Sequence, residues 1–178
     1  ASKPKALGMD QPFDRVVSSG YSCEPGQFLE RICMKMKICI IGAGPAGLMA
    51  AISSAEAGAR TTVVEANATP GRKLLLTGAG RCNLTHQGSP QELVRAFGAK
   101  GKFLSYSLHR FSSQDAQDSF AKLGLRMKVE EDGCVFCASG RASDLRDILV
   151  ERARRLGVTF LYGSRVDDVS KEAGSFIV

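Results

Sequence analysis

A glycine-rich turn, GAGPAG at 42–47, constrains this chain more than any other feature, because of the segments on either side of it. KICII (37–41) is short and rich in β-branched residues, which predicts a buried strand. The alanine-rich segment 45–58 predicts a helix that ends at Gly58. TTVVEA (61–66) predicts a second strand. A strand, a helix and a strand in such quick succession form a βαβ unit with parallel strands and a right-handed crossover.

The turn matches the pattern GxGxxG, in which each glycine has a mechanical role in dinucleotide binding. Gly42 permits the tight turn out of the strand, Gly44 lets backbone amides approach a pyrophosphate, and Gly47 lets the helix pack closely on the strand. Glu65, at the end of the second strand, can accept hydrogen bonds from ribose hydroxyls, which disfavours a 2′-phosphate and therefore NADP at this position. FAD and NAD both satisfy this turn.

A second glycine-rich segment, GRKLLLTGAGRCNLT (71–85), follows closely on the second strand. Arg72 can meet phosphate charge through two hydrogen bonds. Gly78 and Gly80 allow the main chain to approach an extended ligand, and Asn83 offers a donor and an acceptor to a polar ring edge. We therefore interpret the two segments as holding two parts of one long cofactor, which favours FAD over NAD alone.

The rest of the chain predicts an α/β fold with a Rossmann-type parallel sheet and a small antiparallel hairpin. Residues 1–35 show no periodicity and are expected to form an irregular extension. Further elements are predicted as helices at 90–98, 112–124 (capped by Ser112 or Ser113) and 143–157, a hairpin at 125–138 around Asp132-Gly133, and strands at 158–163, 165–169 and 175–178.

Three sequence blocks, GAGPAGLMAAISSAEAGA, ATPGRKLLLTGAGRCNLTH and VEEDGCVFCASGRASDLRDIL, resemble the bacterial FAD/NAD(P)-dependent flavoproteins known as aminoacetone-oxidase-like, a family that includes a bile-acid enone reductase. The resemblance covers residues 36–178 and implies a glutathione-reductase-like FAD-binding domain. It also implies an oxidoreductase in which NAD(P)H reduces the flavin, and the flavin passes a hydride to a small organic acceptor such as a conjugated carbon–carbon double bond. Family members are longer, so we expect an N-terminal fragment that lacks a substrate domain and the C-terminal part of the FAD domain.

The same resemblance implies cofactor-binding roles for individual residues, whereas it identifies no catalytic residue. The ADP half of FAD would be bound by Gly42, Ala43, Gly44, Pro45, Ala46, Gly47, Glu65 and Ala66, with Val166 contacting adenine through its main chain. The pyrophosphate-to-flavin half would be bound by Arg72, Lys73, Gly80, Arg81, Cys82 and Asn83.

The chain departs from the family pattern at three positions. Ala79 stands where glycine or asparagine is expected, a mild change if its φ is negative. Cys134 and Cys137 replace an arginine and a proline. If they lie on a strand, cysteines three residues apart point to opposite faces and cannot share one metal ion. We therefore expect no metal site there.

Charge and hydropathy bear on the expected partners and location of the protein. Lys and Arg number 24 against 18 Asp and Glu, but they are scattered along the chain, so we expect no nucleic acid partner. The sequence has no apolar run long enough to span a bilayer and no signal-like segment. We therefore expect a cytoplasmic protein without membrane contact. Three alternatives stay open: a truncated, inactive FAD-binding fragment, an NAD-only dehydrogenase, and a flavin-dependent RNA-modifying protein.

Overall fold

The computed structural model describes residues 36–178, so the irregular extension predicted at 1–35 lies outside the described residues. In chain order the elements are β1 (Lys37–Ile41), α1 (Pro45–Glu56), β2 (Arg60–Val64), β3 (Asn83–His86), α2 (Pro90–Ala96), α3 (Gly101–Arg110), α4 (Ser113–Lys122), β4 (Met127–Val129), β5 (Cys134–Cys137), α5 (Ala142–Arg155), β6 (Thr159–Leu161), β7 (Ser170–Glu172) and β8 (Ser175–Ile177), with 3-10 turns at Leu74–Gly80 and Gly98–Lys100.

The predicted βαβ unit is present, which confirms the α/β fold class. Strands β1, β2 and β6 form a parallel sheet with β2 in the centre. Val63 of β2 is fully buried, and helices α1 and α5 pack together beside the sheet. Leu48 and Ala51 of α1 and Leu149 of α5 belong to the same buried cluster, so one apolar core holds both glycine-rich segments in place.

A second, antiparallel sheet has the order β3–β5–β4. The predicted hairpin is confirmed: Gly133 has a φ of +84°, and the Asp132 side chain accepts a hydrogen bond from the Cys134 amide at 2.9 Å. Strand β3 pairs with β5 through His86 and Cys134, with an irregular register near Asn83. The four residues of β3 are too few and too polar for their pairing to be predicted from sequence.

The helical segments agree with the predictions except for one helix. Ser112 caps α4 in a capping box with Asp115. Helix α3 was not predicted, because it follows directly on the glycine-containing turn 98–100 and carries two serines and two aromatic residues of modest helix propensity. Packing stabilises it: a Cβ added at Gly101 would lie 1.8 Å from the Val94 carbonyl oxygen, so α2 and α3 approach backbone to backbone.

The strand predicted at 165–169 is wrong. Gly163 has a φ of +65° and turns the chain out of the parallel sheet after β6. The Ser164 amide then donates to the Glu65 carbonyl oxygen at 3.0 Å, and the chain continues without regular structure to β7. The final predicted strand, at 175–178, is present as β8, which pairs antiparallel with β7.

Replacement of Gly47 by alanine should destabilise the fold. Its added Cβ would lie 2.0 Å from the Gly42 carbonyl oxygen, where the start of α1 crosses the end of β1. We expect Gly47→Ala to lower the free energy of unfolding by about 1–3 kcal/mol in urea denaturation, because the backbone must move apart. Gly44→Ala is the control, since its Cβ meets nothing within 4 Å; it should cost less than about 1 kcal/mol. Equal losses in both variants would contradict this assignment.

Candidate cofactor site at the carboxyl end of the parallel strands

The first glycine-rich turn leaves β1 and enters α1 with its backbone exposed to a ligand. Gly42 has a φ of +97°, which favours glycine, and its amide donates to the Val64 carbonyl oxygen at 2.7 Å. Gly44 is the N-cap of α1 and has no side chain that could cap the free amides of the helix. Pro45 follows at the first helical position, and the first turn contains no acidic residue. The helix therefore presents uncapped amides and its positive dipole end, which favour an anion.

Glu65 braces this turn from the end of β2. Its Oε2 accepts a hydrogen bond from the Ala43 amide at 2.7 Å, and its Oε1 accepts from the Asn67 amide at 2.8 Å and from the Asn67 side-chain amide. Burial raises the pKa of Glu65, but these hydrogen bonds outweigh it and hold the pKa below its ordinary value. Glu65 is 8% exposed and ionised near neutral pH.

The bonding of Glu65 limits what it can give to a ribose. A carboxylate has about four acceptor positions, and three are filled by the Ala43 and Asn67 donors. One ribose hydroxyl can therefore bind directly, and a second must displace the Asn67 side chain. The prediction that Glu65 binds the ribose hydroxyl pair stays a prediction, with this restriction added.

Asn67 is a site residue that the sequence analysis missed. Its side-chain oxygen accepts from Arg72 Nη1 at 3.3 Å, and its carbonyl oxygen accepts from the Gly163 amide at 3.1 Å. Asn67 thus connects Glu65, the second glycine-rich segment and the chain after β6. The available signal was its place two residues after the strand-ending acid, where an amide side chain can form a local turn.

The second glycine-rich segment begins against the first. The Gly71 amide donates to the Ala43 carbonyl oxygen at 2.9 Å, so the two segments are joined at the carboxyl end of β1. Arg72 and Lys73 follow at once and are exposed, while Leu74 is buried and anchors the turn. This places two basic side chains next to the helix N-terminus that favours an anion.

The middle of the second segment has a strained backbone. Gly78, Ala79 and Gly80 have φ values of +54°, +53° and +85°, and Cys82 has a φ of +58°. The expectation that Ala79 is a mild change depended on a negative φ, and the structure shows the opposite. A non-glycine residue in the left-handed region costs roughly 1–2 kcal/mol, so Ala79 carries strain that a glycine at this position would avoid.

Arg81, Cys82 and Asn83 lie toward the antiparallel sheet. The Arg81 guanidinium is 2.8 Å from Glu130 Oε1 and lies 4.3 Å above the centre of the Phe136 ring. Cys82 is buried, and burial raises the pKa of its thiol, so it stays protonated near neutral pH. The Asn83 side chain donates to Cys134 Sγ at 3.4 Å. Their cofactor contacts stay predictions.

The remaining residues with a predicted cofactor role occupy the edge of the site. Pro45 and Ala46 form the exposed first turn of α1, and Ala66 is exposed directly after Glu65. Val166 is half-buried in the irregular segment whose Ser164 amide is bonded to the Glu65 carbonyl oxygen. Val166 therefore lies two residues along the chain from Ser164, whose amide contacts Glu65, and its contact with adenine stays a prediction.

His86, on β3, holds the hairpin turn beside the second segment. Its Nδ1 lies 2.6 Å from the Gln87 carbonyl oxygen, and its Nε2 lies 2.6 Å from the Asp132 carbonyl oxygen. A neutral imidazole donates one hydrogen bond, whereas an imidazolium donates to both oxygens. The Gln87 carbonyl, the Asp132 carbonyl and the Asp132 charge raise the pKa of His86.

Residues 36–178 contain neither a cluster of metal ligands nor a helix that could span a membrane. These residues bring together no group of three or more histidine, cysteine, aspartate or glutamate side chains that could hold a metal ion. Cys134 is half-buried and Cys137 is fully buried on β5. Nor does any helix in this part of the chain have the length and apolarity needed to cross a membrane.

The parallel sheet, the glycine-rich turn and the acid after β2 define a dinucleotide-binding domain of the Rossmann type. The family model described as HI0933-like protein Rossmann domain matches residues 36–178. The chain belongs to this family of FAD-binding Rossmann domains, which confirms the flavoprotein resemblance.

Curated relatives and a solved structure agree with this assignment. The chain is 32% identical over 144 residues to the ribosomal RNA dihydrouridine synthase of Escherichia coli, covering 77% of this chain and 34% of that protein. It is 31% identical over 144 residues to the 3-dehydro-bile acid delta(4,6)-reductase of Clostridium scindens, covering 80% of this chain and 34% of that protein. The chain thus spans about a third of the length of these relatives. The solved structure of THI4 from Thermovibrio ammonificans superposes with a TM-score of 0.50 and 15% identity. The match covers 82% of this chain and 46% of THI4, and it shows a shared fold.

Protonated His86 should stabilise the fold only at lower pH. Because its folded-state pKa is raised, its contribution is fully present below the unfolded pKa of about 6.5 and is lost as pH rises through the folded pKa. We expect the free energy of unfolding of the unchanged chain to exceed that of His86→Gln by more at about pH 5 than at about pH 9. Urea denaturation at both pH values measures this, with His109→Gln as the control for losing a histidine. If the difference in free energy of unfolding between the two proteins does not change with pH, protonated His86 does not donate to both carbonyl oxygens.

Proposed function

We propose that residues 36–178 bind FAD, and that a polypeptide as long as the curated relatives uses the flavin as an NAD(P)H-dependent oxidoreductase. The observation that carries the proposal is the hydrogen bond from the Gly71 amide to the Ala43 carbonyl oxygen. It joins a turn suited to a pyrophosphate to a second segment that continues toward β3, which gives the flavin half of FAD a second stretch of backbone to lie along.

The described residues fit FAD at the dinucleotide end. A Cβ at Gly44 would project into open space beside the N-terminus of α1, so this position leaves room for a phosphate against the backbone. Arg72 and Lys73 supply positive charge nearby, and Glu65 retains an acceptor position for a ribose hydroxyl. In this assignment Gly80 and Asn83 lie along the ribityl and ring half.

Bound FAD would supply hydride transfer, a reaction that no side chain of the protein can perform by itself. The protein's own part is to bind the dinucleotide, to hold Glu65 ionised against its ribose and to fix the Arg81 guanidinium on the Phe136 ring. We assign no general acid among residues 36–178. The proposed reductant, NADH or NADPH, rests on the family resemblance alone, and a cytoplasmic location stays an expectation from sequence.

The proposed acceptor is a carbon–carbon double bond conjugated to a carbonyl group. Both curated relatives have names that describe reduction of such a bond: a dihydrouridine is a uridine saturated at one double bond, and a delta(4,6)-reductase acts on a pair of them. One name denotes an RNA substrate and the other a bile acid, so the names agree on the bond and differ on the molecule that carries it. The RNA-modifying alternative therefore stays a second candidate.

Gly44→Val should abolish FAD binding, because two branches on Cβ fill the space beside the helix N-terminus. The purified chain, mixed with FAD and freed of excess by gel filtration, should retain visible flavin absorbance, whereas Gly44→Val should retain none. Circular dichroism verifies that the variant folds, and NAD in place of FAD tests the NAD-only alternative. Equal flavin retention by both proteins would contradict the site, and retention of NAD without FAD would contradict the cofactor.

Glu65→Ala should weaken FAD binding by about 1–3 kcal/mol, because a ribose hydroxyl loses its charged acceptor and the Ala43 amide loses its partner. Quenching of flavin fluorescence measures the dissociation constant. Glu131→Ala removes an exposed carboxylate on the β4–β5 turn and is the matched control, which should bind FAD as the unchanged chain does. The ribose assignment is wrong if Glu65→Ala and Glu131→Ala have the same affinity.

A further inference from the structure

Two buried cysteine thiols lie in the apolar core beside the second glycine-rich segment. Cys82 belongs to that segment and is 4% exposed, and Cys137, the last residue of β5, is fully buried. Both side chains are part of the same buried cluster. Small apolar side chains fill such space as well as thiols do, so packing alone does not require a cysteine at either position.

The register of the antiparallel sheet brings the two cysteines opposite each other. The neighbouring pair is Asn83 of β3 with Phe136 of β5, and one further step along both strands reaches the two cysteines. Successive residues of a strand point to opposite faces of a sheet. The Asn83 side chain donates to Cys134 Sγ at 3.4 Å, so these two residues share one face. The two opposed cysteines share the other face, which packs into the core.

The two thiols are also close enough to interact electrostatically. Burial raises the pKa of the Cys137 thiol most, and the charge of Cys82 raises this pKa further. Cα atoms of residues directly opposite in an antiparallel pair are about 4.5–5.5 Å apart. A disulfide forms between Cα atoms about 4.4–6.8 Å apart, so the register provides the separation that this bond requires.

We propose that Cys82 and Cys137 are a site of reversible disulfide formation, for which a small-molecule disulfide such as oxidised glutathione is the oxidant. The Cys82 thiolate attacks one glutathione sulfur, releases one glutathione thiolate and becomes a mixed disulfide. Cys137 then attacks the Cys82 sulfur, forms the bond between the two segments and releases the second glutathione. The two protein thiols lose two electrons and two protons, and oxidised glutathione gains them as two thiols.

Burial slows this exchange but does not set its equilibrium. Burial raises the pKa of both thiols, and only a thiolate attacks a disulfide. Cys82 must therefore become exposed by local opening of its segment, where Ala79 and Cys82 both have positive φ. The equilibrium depends on how well the fold holds the two sulfur atoms in bonding position. The bond is therefore expected after long equilibration.

Other pairings within residues 36–178 fit less well. Cys134 and Cys137 are three residues apart on β5 and point to opposite faces, so they cannot bond to each other. Cys39 is exposed on β1, which belongs to the other sheet. The proposal goes beyond the flavin function and does not rest on it, because neither exchange step involves FAD.

Disulfide mapping of the full chain without FAD tests the proposal. The background variant keeps only the thiols at 82, 134 and 137; its substitutions are Cys23→Ser, Cys33→Ser and Cys39→Ser. The protein is equilibrated overnight in buffers of graded oxidised-to-reduced glutathione ratio, quenched with acid, alkylated and digested with trypsin and chymotrypsin. Cleavage after Arg81, Lys128 and Phe136 puts each thiol on its own peptide for mass spectrometry.

The expected product links Cys82 to Cys137 and leaves Cys134 alkylated. This link should be about tenfold or more abundant than either pairing with Cys134, because Cys134 lies on the other face. Adding Cys134→Ser, the matched control, should keep the link, whereas adding Cys82→Ser or Cys137→Ser should leave no disulfide within the chain. Dithiothreitol should restore all thiols, and circular dichroism verifies that each variant folds before and after oxidation.

The proposal is overturned if Cys134 is linked to either cysteine as often as these are linked to each other, or if glutathione stays on Cys82 as a mixed disulfide. It is also overturned if the link forms only in urea or only with loss of the native circular dichroism spectrum. A folded protein without any disulfide in oxidised glutathione alone would assign both thiols to packing only.

Discussion

The rest of the structure depends on two hydrogen bonds made by the backbone of Ala43. Its amide donates to Glu65 Oε2 at 2.7 Å, and its carbonyl oxygen accepts from the Gly71 amide at 2.9 Å. Ala43 is fully buried, so an unpaired group here would cost about 1–3 kcal/mol. These two bonds join the first glycine-rich turn, the end of β2 and the second glycine-rich segment at one edge of the parallel sheet.

The chemistry of the site follows from that arrangement. A buried carboxylate is stable as an anion only when donors surround it, and Glu65 has three of them from Ala43 and Asn67. Beyond Gly71 the chain adopts positive φ at Ala79 and Cys82, a conformation in which residues other than glycine are strained. Strain of this kind persists when the surroundings enforce it and is concentrated at functional sites. The buried side chain of Leu74 anchors the second segment to the apolar core. The backbone of the segment does not supply this anchor and so stays available to a ligand.

Sequence reasoning succeeded where local signals and tertiary contacts agree. The βαβ unit and the Asp132-Gly133 hairpin carry strong signals, since hydrophobic runs and turn residues coincide there. Helix α3 was missed because its stability comes from backbone contact between Gly101 and Val94, which no sequence pattern shows. The strand predicted at 165–169 is wrong because an alternating pattern cannot reveal that Gly163 turns the chain away from the sheet. In the site, the positions of the functional glycines could be predicted from sequence. Asn67 could not, because its partners Glu65, Arg72 and Gly163 are brought together only by the fold.

The central claim, that both glycine-rich segments hold one dinucleotide, is tested most directly by amide hydrogen exchange with mass spectrometry. On saturation with FAD, peptides covering 42–48 and peptides covering 71–83 should both gain protection, while NAD, which lacks the flavin half, should protect 42–48 and leave most of 71–83 unchanged. Protection of 42–48 by FAD with no change anywhere in 71–83 would contradict the claim and leave a generic nucleotide-binding turn.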